Sequence, residues 1–117
     1  MYCTHVKDVE AKPVTAPGVE GVTIQWLLDE QRGAPNFSMR RYVIQPGGCT
    51  PWHQHDWEHE VYVLRGSGVV VTEAGETPIG PDTAILVMPN EGHQFRAAAA
   101  EPLEFLCLVP NGPATAH

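Results

Sequence analysis

The apolar residues of this chain fall in short runs, and most of these runs alternate with polar residues or are rich in β-branched side chains. A two-residue period predicts strands, because successive side chains of a strand point to opposite faces. Clusters of glycine and proline separate the runs, and no stretch has the period of a helix. The predicted strands are Val22–Leu28, Phe37–Gln45, Val61–Arg65, Val69–Glu73, Ala84–Met88, His93–Ala97 and Leu103–Val109.

The segments between these runs predict the connections. Gly66-Ser-Gly68 predicts the turn of a β-hairpin between its flanking strands, since glycine readily adopts positive φ angles. Further turns are expected at residues 74–76 and 80–82. We expect an N-terminal arm with at most one edge strand at residues 1–20. The folded barrel is expected at residues 21–110 and a loose polar tail at residues 111–117.

The size and composition of the chain agree with one small β-domain. A length of 117 residues is enough for a single core. Eleven prolines and eleven glycines suit many short strands joined by tight turns. About eight to ten antiparallel strands without helices predict an all-β fold, either a jelly roll or a small barrel.

The charge balance excludes several kinds of partner. Seven basic residues against fourteen acidic ones give a net charge of −7 at pH 7. This charge repels phosphate groups, so neither nucleic acid nor an anionic membrane is expected as a partner. The absence of a long apolar run and of signal-peptide features at the N-terminus predicts a cytoplasmic protein. Three cysteines without a CxxC pair are expected to be free thiols.

Four of the six histidines lie in two short segments and are candidate metal ligands. His53, His55 and His59 have odd numbers, so on one extended strand they would project from the same face. His93 follows an apolar strand in a turn. Several imidazoles on one face favour a divalent transition metal, although surface or hydrogen-bonded core histidines are the alternative. Glu60 is the competing ligand, but strand alternation favours His59 and turns Glu60 outward or behind the ligands.

The spacing of these residues resembles the first motif of the cupin family. Gly47, five residues, His53-Gln-His55, three residues, His59, six residues and Gly66 match that motif, with histidine in place of the usual glutamate. The distance to the second glycine also favours His59 over the following glutamate as the ligand.

The second cupin motif resembles the segment from Gly80 through Pro89 to His93, although the asparagine that the family places farther on is Ala97 here. The chain is also similar to the small single-domain bacterial cupins that bind manganese through four histidines. That narrower resemblance is carried by residues 34–37, 39–40, 46–48, 57–61, 89–91 and 104–108. It implies a double-stranded β-helix, the metal-bearing jelly-roll barrel, and a homodimer.

The resemblance implies a metal held by His53, His55, His59 and His93. Manganese is the expected metal, with iron, nickel, copper or zinc as alternatives. Four imidazoles in an octahedral site leave two positions for water, dioxygen or a bidentate substrate.

Four further residues are candidates for the substrate pocket. Arg40 shares a strand face with Tyr42, and the family comparison favours this arginine over Arg41 as the one that points inward. It is the candidate catalytic residue, able to hold an anionic substrate or an oxyanion; a solvated strand arginine is the equal alternative. Phe105 and Cys107 share one face of the last strand, and a small buried hydrophobe is the commoner role for a free cysteine.

Three functions are consistent with these residues. The preferred hypothesis is a metal-dependent oxidoreductase, of dioxygenase type, acting on a small organic molecule. The alternatives are a non-redox isomerase or lyase acting on a small polar substrate, and a binding module without turnover. The fold alone does not decide among them, because function depends on the site that a fold carries.

Overall fold

The computed structural model describes residues 1–115 and contains nine strands in that range. They are β1 (Lys12–Pro13), β2 (Glu20–Leu28), β3 (Phe37–Cys49), β4 (His59–Arg65), β5 (Gly68–Thr72), β6 (Gly75–Ile79), β7 (Ala84–Val87), β8 (Gln94–Ala97) and β9 (Leu103–Pro110). Short 3-10 helices occupy Val6–Asp8, Glu30–Arg32 and Pro113–Thr115.

The strands form one curled sheet in the order β6-β5-β8-β3-β9-β4-β7, and β1 and β2 extend it beside β3. All pairings are antiparallel. The long strand β3 joins the two halves, because it pairs with β2 and β9 over most of its length and with Arg96 of β8 through Cys49. The predicted all-β fold of eight to ten antiparallel strands is confirmed.

The core lies inside the curl, and β9 shows how the sequence builds it. Leu103, Phe105, Cys107 and Val109 are each at most 3% exposed, whereas the residues between them are partly exposed. This alternation is the two-residue period that the sequence predicted. The inner faces of the other strands complete the core with β-branched and aromatic side chains.

The hairpin predicted around Gly66 is wrong. Strand β4 pairs with β7 and β9, whereas β5 pairs with β6 and β8, so the chain crosses between the two halves of the sheet at this point. Gly66 does adopt a positive φ of 86°. The sequence also missed β6, because only one of its five residues is buried and the strand lacks an apolar run.

The N-terminal arm and residues 111–115 both pack on the barrel. In the arm, Val14 donates its N–H to the Val22 carbonyl, and the Gln25 side chain donates to the carbonyls of Val6 and Val9. The loose tail predicted for residues 111–117 is wrong for residues 111–115. Thr115 is 6% exposed and its hydroxyl donates to a Glu30 carboxylate oxygen; residues 116 and 117 lie outside the described part.

The outer face of β4 and the segment around β7 carry several exposed apolar side chains. Tyr62, Leu64, Leu86 and Met88 are between 40% and 55% exposed there, and β7 lies at one edge of the sheet. The homodimer implied by the resemblance stays a prediction. Within residues 1–115, no helix is long and apolar enough to cross a membrane.

Candidate metal centre

A short backbone pairing joins the two histidine segments. His53 and His93 form an isolated antiparallel bridge, in which each N–H donates to the other residue's carbonyl at 3.2 and 2.9 Å. The adjacent turn adds a hydrogen bond from the Asn90 N–H to the His55 carbonyl. Asn90 has a φ of 65°, a left-handed conformation that asparagine tolerates better than most residues. These contacts fix the backbone of three candidate ligands.

The four imidazoles meet at the end of this bridge. The candidate ligand atoms of His53, His55 and His93 all lie within 4.8 Å of one another. His59, at the start of β4, completes the ring, with its ring centroid 5.2 Å from that of His55 and 5.1 Å from that of His93. Three histidines therefore form a compact group, and the fourth predicted ligand borders it.

The predicted reason for this convergence is wrong, although the rings do converge. His53 and His55 were expected to share one extended strand with His59, but residues 54–58 belong to no strand. The isolated bridge and the turn bring the rings together instead. The choice between neighbours on β4 follows strand alternation: His59 is 8% exposed, whereas Glu60 is exposed on the outer face.

The donor atoms fit a divalent metal. The Nε2 atom of His59 is buried and has no hydrogen-bond partner in the part of the chain that the structure describes, while its Nδ1 lies 3.2 Å from the Cys107 sulfur. The Nδ1 of His93 lies 2.8 Å from the Glu91 carbonyl oxygen, so it carries the proton and leaves the Nε2 lone pair available. Metal-bound histidines commonly hold their second nitrogen in this way. A cation would satisfy the buried nitrogen that the protein leaves without a partner.

The site opens into one cavity of about 290 Å³, near the lower end of the range for small-molecule pockets. Its wall is mostly apolar and includes residues from the N-terminal arm and from the C-terminal 3-10 helix. The lining residues are Val14, Ala16, Val19, Val22, Arg40, Tyr42, Thr50, Pro51, His53, His55, Trp57, His59, His93, Phe95, Phe105, Cys107 and Ala114.

The predicted pocket residues all line this cavity. Arg40 is 6% exposed and donates to the Tyr42 hydroxyl at 2.9 Å and to the Cys107 sulfur at 3.1 Å. Tyr42 stacks on Phe105 with ring centroids 5.4 Å apart. The contacts from Arg40 to Cys107 and from Tyr42 to Phe105 each join opposite residues of β3 and β9. Arg41 points the other way and forms an ion pair with Glu104 at 3.0 Å.

Sequence reasoning missed several contributors to the site. The ring of Trp57 lies parallel to that of His55 at 4.5 Å and fixes the orientation of that imidazole. Trp26 lies opposite Arg40 on β2, and the guanidinium sits 5.4 Å from its ring centre. Val14 and Val19 of the arm also line the cavity. The short spacing between Trp57 and the histidines was a sequence signal that could have identified its role. No local sequence pattern indicated that the arm would line the cavity.

A comparison with protein families decides the class of the chain. Residues 40–109 match the family model for the cupin domain. The chain is a cupin. This family assignment also agrees with the curled antiparallel sheet, so the predicted jelly-roll architecture is confirmed.

Several known proteins are similar to this cupin. The structure of the polyketide cyclase RemF from Streptomyces resistomycificus superposes with a TM-score of 0.91 at 35% identity, covering 96% of this chain and 80% of that one. A cupin-2 domain protein from Rhodospirillum rubrum superposes with a TM-score of 0.79 at 28% identity, covering 90% and 70%.

The curated relatives are longer proteins. A 1-methylthio-D-xylulose 5-phosphate methylsulfurylase from Rhodospirillum rubrum is 32% identical over 61% of this chain and 46% of its own length. The auxin-binding protein 1 of Arabidopsis thaliana is 24% identical over 93% of this cupin and 59% of its own length. The chain thus spans about half the length of the curated relatives it matches.

Burial and nearby charges keep His53 and His59 neutral at pH 7. Burial, together with the charges of the neighbouring histidines and Arg40, lowers the pKa of His53 from 6.5 to about 4. Burial, followed by the charge of Arg40, lowers the pKa of His59 to about 3. Neutral imidazole is the form that binds a metal, so His53 and His59 of this cupin stay available to a metal well below neutral pH.

These shifts predict the pH dependence of the metal-free protein. Between pH 7 and pH 5 the unfolded histidines gain protons near their ordinary pKa of 6.5, whereas His53 and His59 stay neutral in the fold. The unfolded state then binds more protons, so stability falls as the pH falls. Thermal denaturation of chelator-treated protein measures this, with a shallower slope expected for His53→Gln. An unchanged melting temperature across this range would contradict the shifts.

Proposed function

We propose that this cupin is a metal-dependent enzyme that closes or rearranges a small carbonyl compound without net oxidation. The observation that supports this most strongly is the shared cavity, where the histidine group, a buried guanidinium and a phenol face one apolar space. A histidine group alone would suit storage or sensing as well. The added polar groups suit the stabilisation of charge that develops on a substrate oxygen.

The metal would be held by His53, His55 and His93 with His59 as the fourth ligand. When bound, a divalent cation supplies a Lewis acid that polarises a carbonyl oxygen. The four-histidine resemblance favours manganese, and zinc, iron, nickel or copper fit the same imidazole donors.

The remaining pocket groups would act on the substrate itself. Burial raises the pKa of Tyr42, with Arg40 opposing the rise, so the phenol keeps its proton at neutral pH. Its oxygen accepts a hydrogen bond from Arg40, which leaves its own O–H available to donate to a leaving oxygen. In a ring closure, an α-carbon would form a double bond to a carbonyl carbon, and its two α-hydrogens and the carbonyl oxygen would leave together as one water. The apolar wall would exclude bulk water from this step.

The sequence alone favoured an oxidoreductase, and that reaction is the second candidate. Its support is the donor set, since imidazole binds redox-active iron, manganese and copper. We rank non-redox chemistry first because the polyketide cyclase is 35% identical over 96% of this chain. In a non-redox reaction the metal acts as a Lewis acid, and a redox-inert ion can also act in this way.

A comparison of two metal forms tests the reaction type. Zinc-loaded protein is expected to convert a linear aryl triketone that carries a carboxylate to a ring product, with loss of one water and without oxygen uptake. Tyr42→Phe should lower kcat roughly 100-fold, the size typical of losing a general acid, with metal content unchanged. Mass spectrometry and an oxygen electrode give the readouts. Inactive zinc protein combined with oxygen consumption by the iron or manganese form would favour the oxidoreductase.

A further inference from the structure

Arg40 carries a buried charge that has no acidic partner within the described chain. Its side chain is 6% exposed, and the ion pairs found among residues 1–115 join Arg41 and Arg65 to Glu104 and Arg96 to Glu76. A buried charge is normally paired, because removing it from water is costly. The neighbouring Arg41 satisfies that rule and Arg40 does not.

The contacts that Arg40 does make are neutral. Nη1 donates to the Tyr42 hydroxyl and Nη2 donates to the Cys107 sulfur. The guanidinium also lies 5.4 Å from the centre of the Trp26 ring and 5.2 Å from that of Tyr42. These groups orient the guanidinium without cancelling its charge. Its Nε is buried and lacks a hydrogen-bond partner among residues 1–115, and each terminal nitrogen keeps a second hydrogen.

The same cavity would gain further positive charge from a bound metal. Arg40 is close enough to the histidine group to lower the pKa of His53, His55 and His59 by its charge, in addition to the effect of burial. A divalent ion beside it would make this cavity strongly cationic, although the chain as a whole has a net charge of −7. A negatively charged ligand is the group that would balance such a cavity.

We propose that Arg40 anchors a carboxylate on the substrate, which therefore is a carboxylic acid with an apolar body. The planar guanidinium matches the two oxygens of a carboxylate, and the apolar wall suits the rest of such a molecule. The inference rests on the proposed function because it names the substrate class of the same cavity. Its test needs binding alone, so a failure here is distinguishable from an absence of turnover.

The test is calorimetric titration of the metal-loaded protein with benzoate and with benzamide, which has nearly the same shape but no charge. Benzoate should bind the wild type at least about tenfold more tightly than benzamide, a typical effect of a charge-assisted hydrogen bond. Arg40→Gln should remove most of that preference. Arg41→Gln is the matched control, because Arg41 faces away from the cavity, and it should keep the preference.

Benzoate affinity that is the same in wild type and Arg40→Gln would overturn the proposal, since the anion would then bind elsewhere, for instance on the metal. Thermal denaturation gives a second readout with Arg40→Met. Benzoate should raise the melting temperature of the wild type and leave that of Arg40→Met unchanged. Because an unpaired buried charge is destabilising, Arg40→Met should itself melt at or above the wild-type temperature. Failure of both Arg40 variants to fold would assign Arg40 a structural role and overturn the proposal.

Discussion

Replacing His59 by alanine is expected to lower metal affinity by more than about tenfold, because losing a residue that only hydrogen-bonds to a metal ligand already costs that much. The buried Nε2 of His59 has no partner among the described residues and borders the other three imidazoles, so it is the atom that gains most from a cation. Elemental analysis of protein purified without chelators measures the effect. Alanine at His53, His55 or His93 should act in the same direction.

The thermal readout separates metal binding from packing. Metal should raise the melting temperature of the wild type, because it binds the folded state and not the unfolded chain. It should raise that of His59→Ala much less. His5→Ala is the control, since His5 is exposed at the start of the first 3-10 helix, and its metal response should be normal. Unchanged metal content in His59→Ala would leave a three-histidine centre and remove His59 from the ligand set.

The alternating strands were predictable because their signal is local. On β9, every second residue from Leu103 to Val109 is buried, and that burial follows directly from the order of apolar residues. Strand β6 lacked this signal, since four of its five residues are exposed. Its backbone pairs with β5 all the same, and such pairing depends on partners distant in the sequence.

Connections across the barrel were not predictable for a related reason. A glycine-containing turn between two strands resembles a hairpin whether the strands pair or separate. Whether β4 and β5 pair depends on the strands that occupy their edges. Strand β4 lies between β9 and β7, and β5 lies between β6 and β8, so the two strands separate at Gly66. The arm and the tail likewise lack strong patterning, yet Val14 and Ala114 line the cavity because the barrel presents an apolar surface to them.

One part of the candidate site was predictable from the sequence, and another part depends on contacts between distant segments. Residue type and spacing selected the four histidines, and strand alternation selected His59 over Glu60. The geometry that unites them depends on the bridge between His53 and His93, forty residues apart in the chain. The unpaired charge of Arg40 also could not be predicted, because the sequence identifies an arginine but not whether a carboxylate lies beside it in the fold.

Gly66→Ala is expected to be among the most destabilising single substitutions in the protein. A Cβ at this position would overlap the Pro102 carbonyl oxygen and come within 3.1 Å of the Leu103 Cα. The φ of 86° is a further cost for any residue with a side chain. Because Leu103 begins the buried face of β9, neither backbone segment can move without disturbing the core.

The expected loss is about 4 kcal/mol or more, the range reached when strain and overpacking act together. For a domain of this size that corresponds to a fall of roughly 15 °C in the melting temperature, or to failure to fold. Gly80→Ala is the matched control, since its nearest outside atom would lie 4.0 Å from the new Cβ. Similar melting temperatures for the two variants would mean that the Pro102 segment can shift.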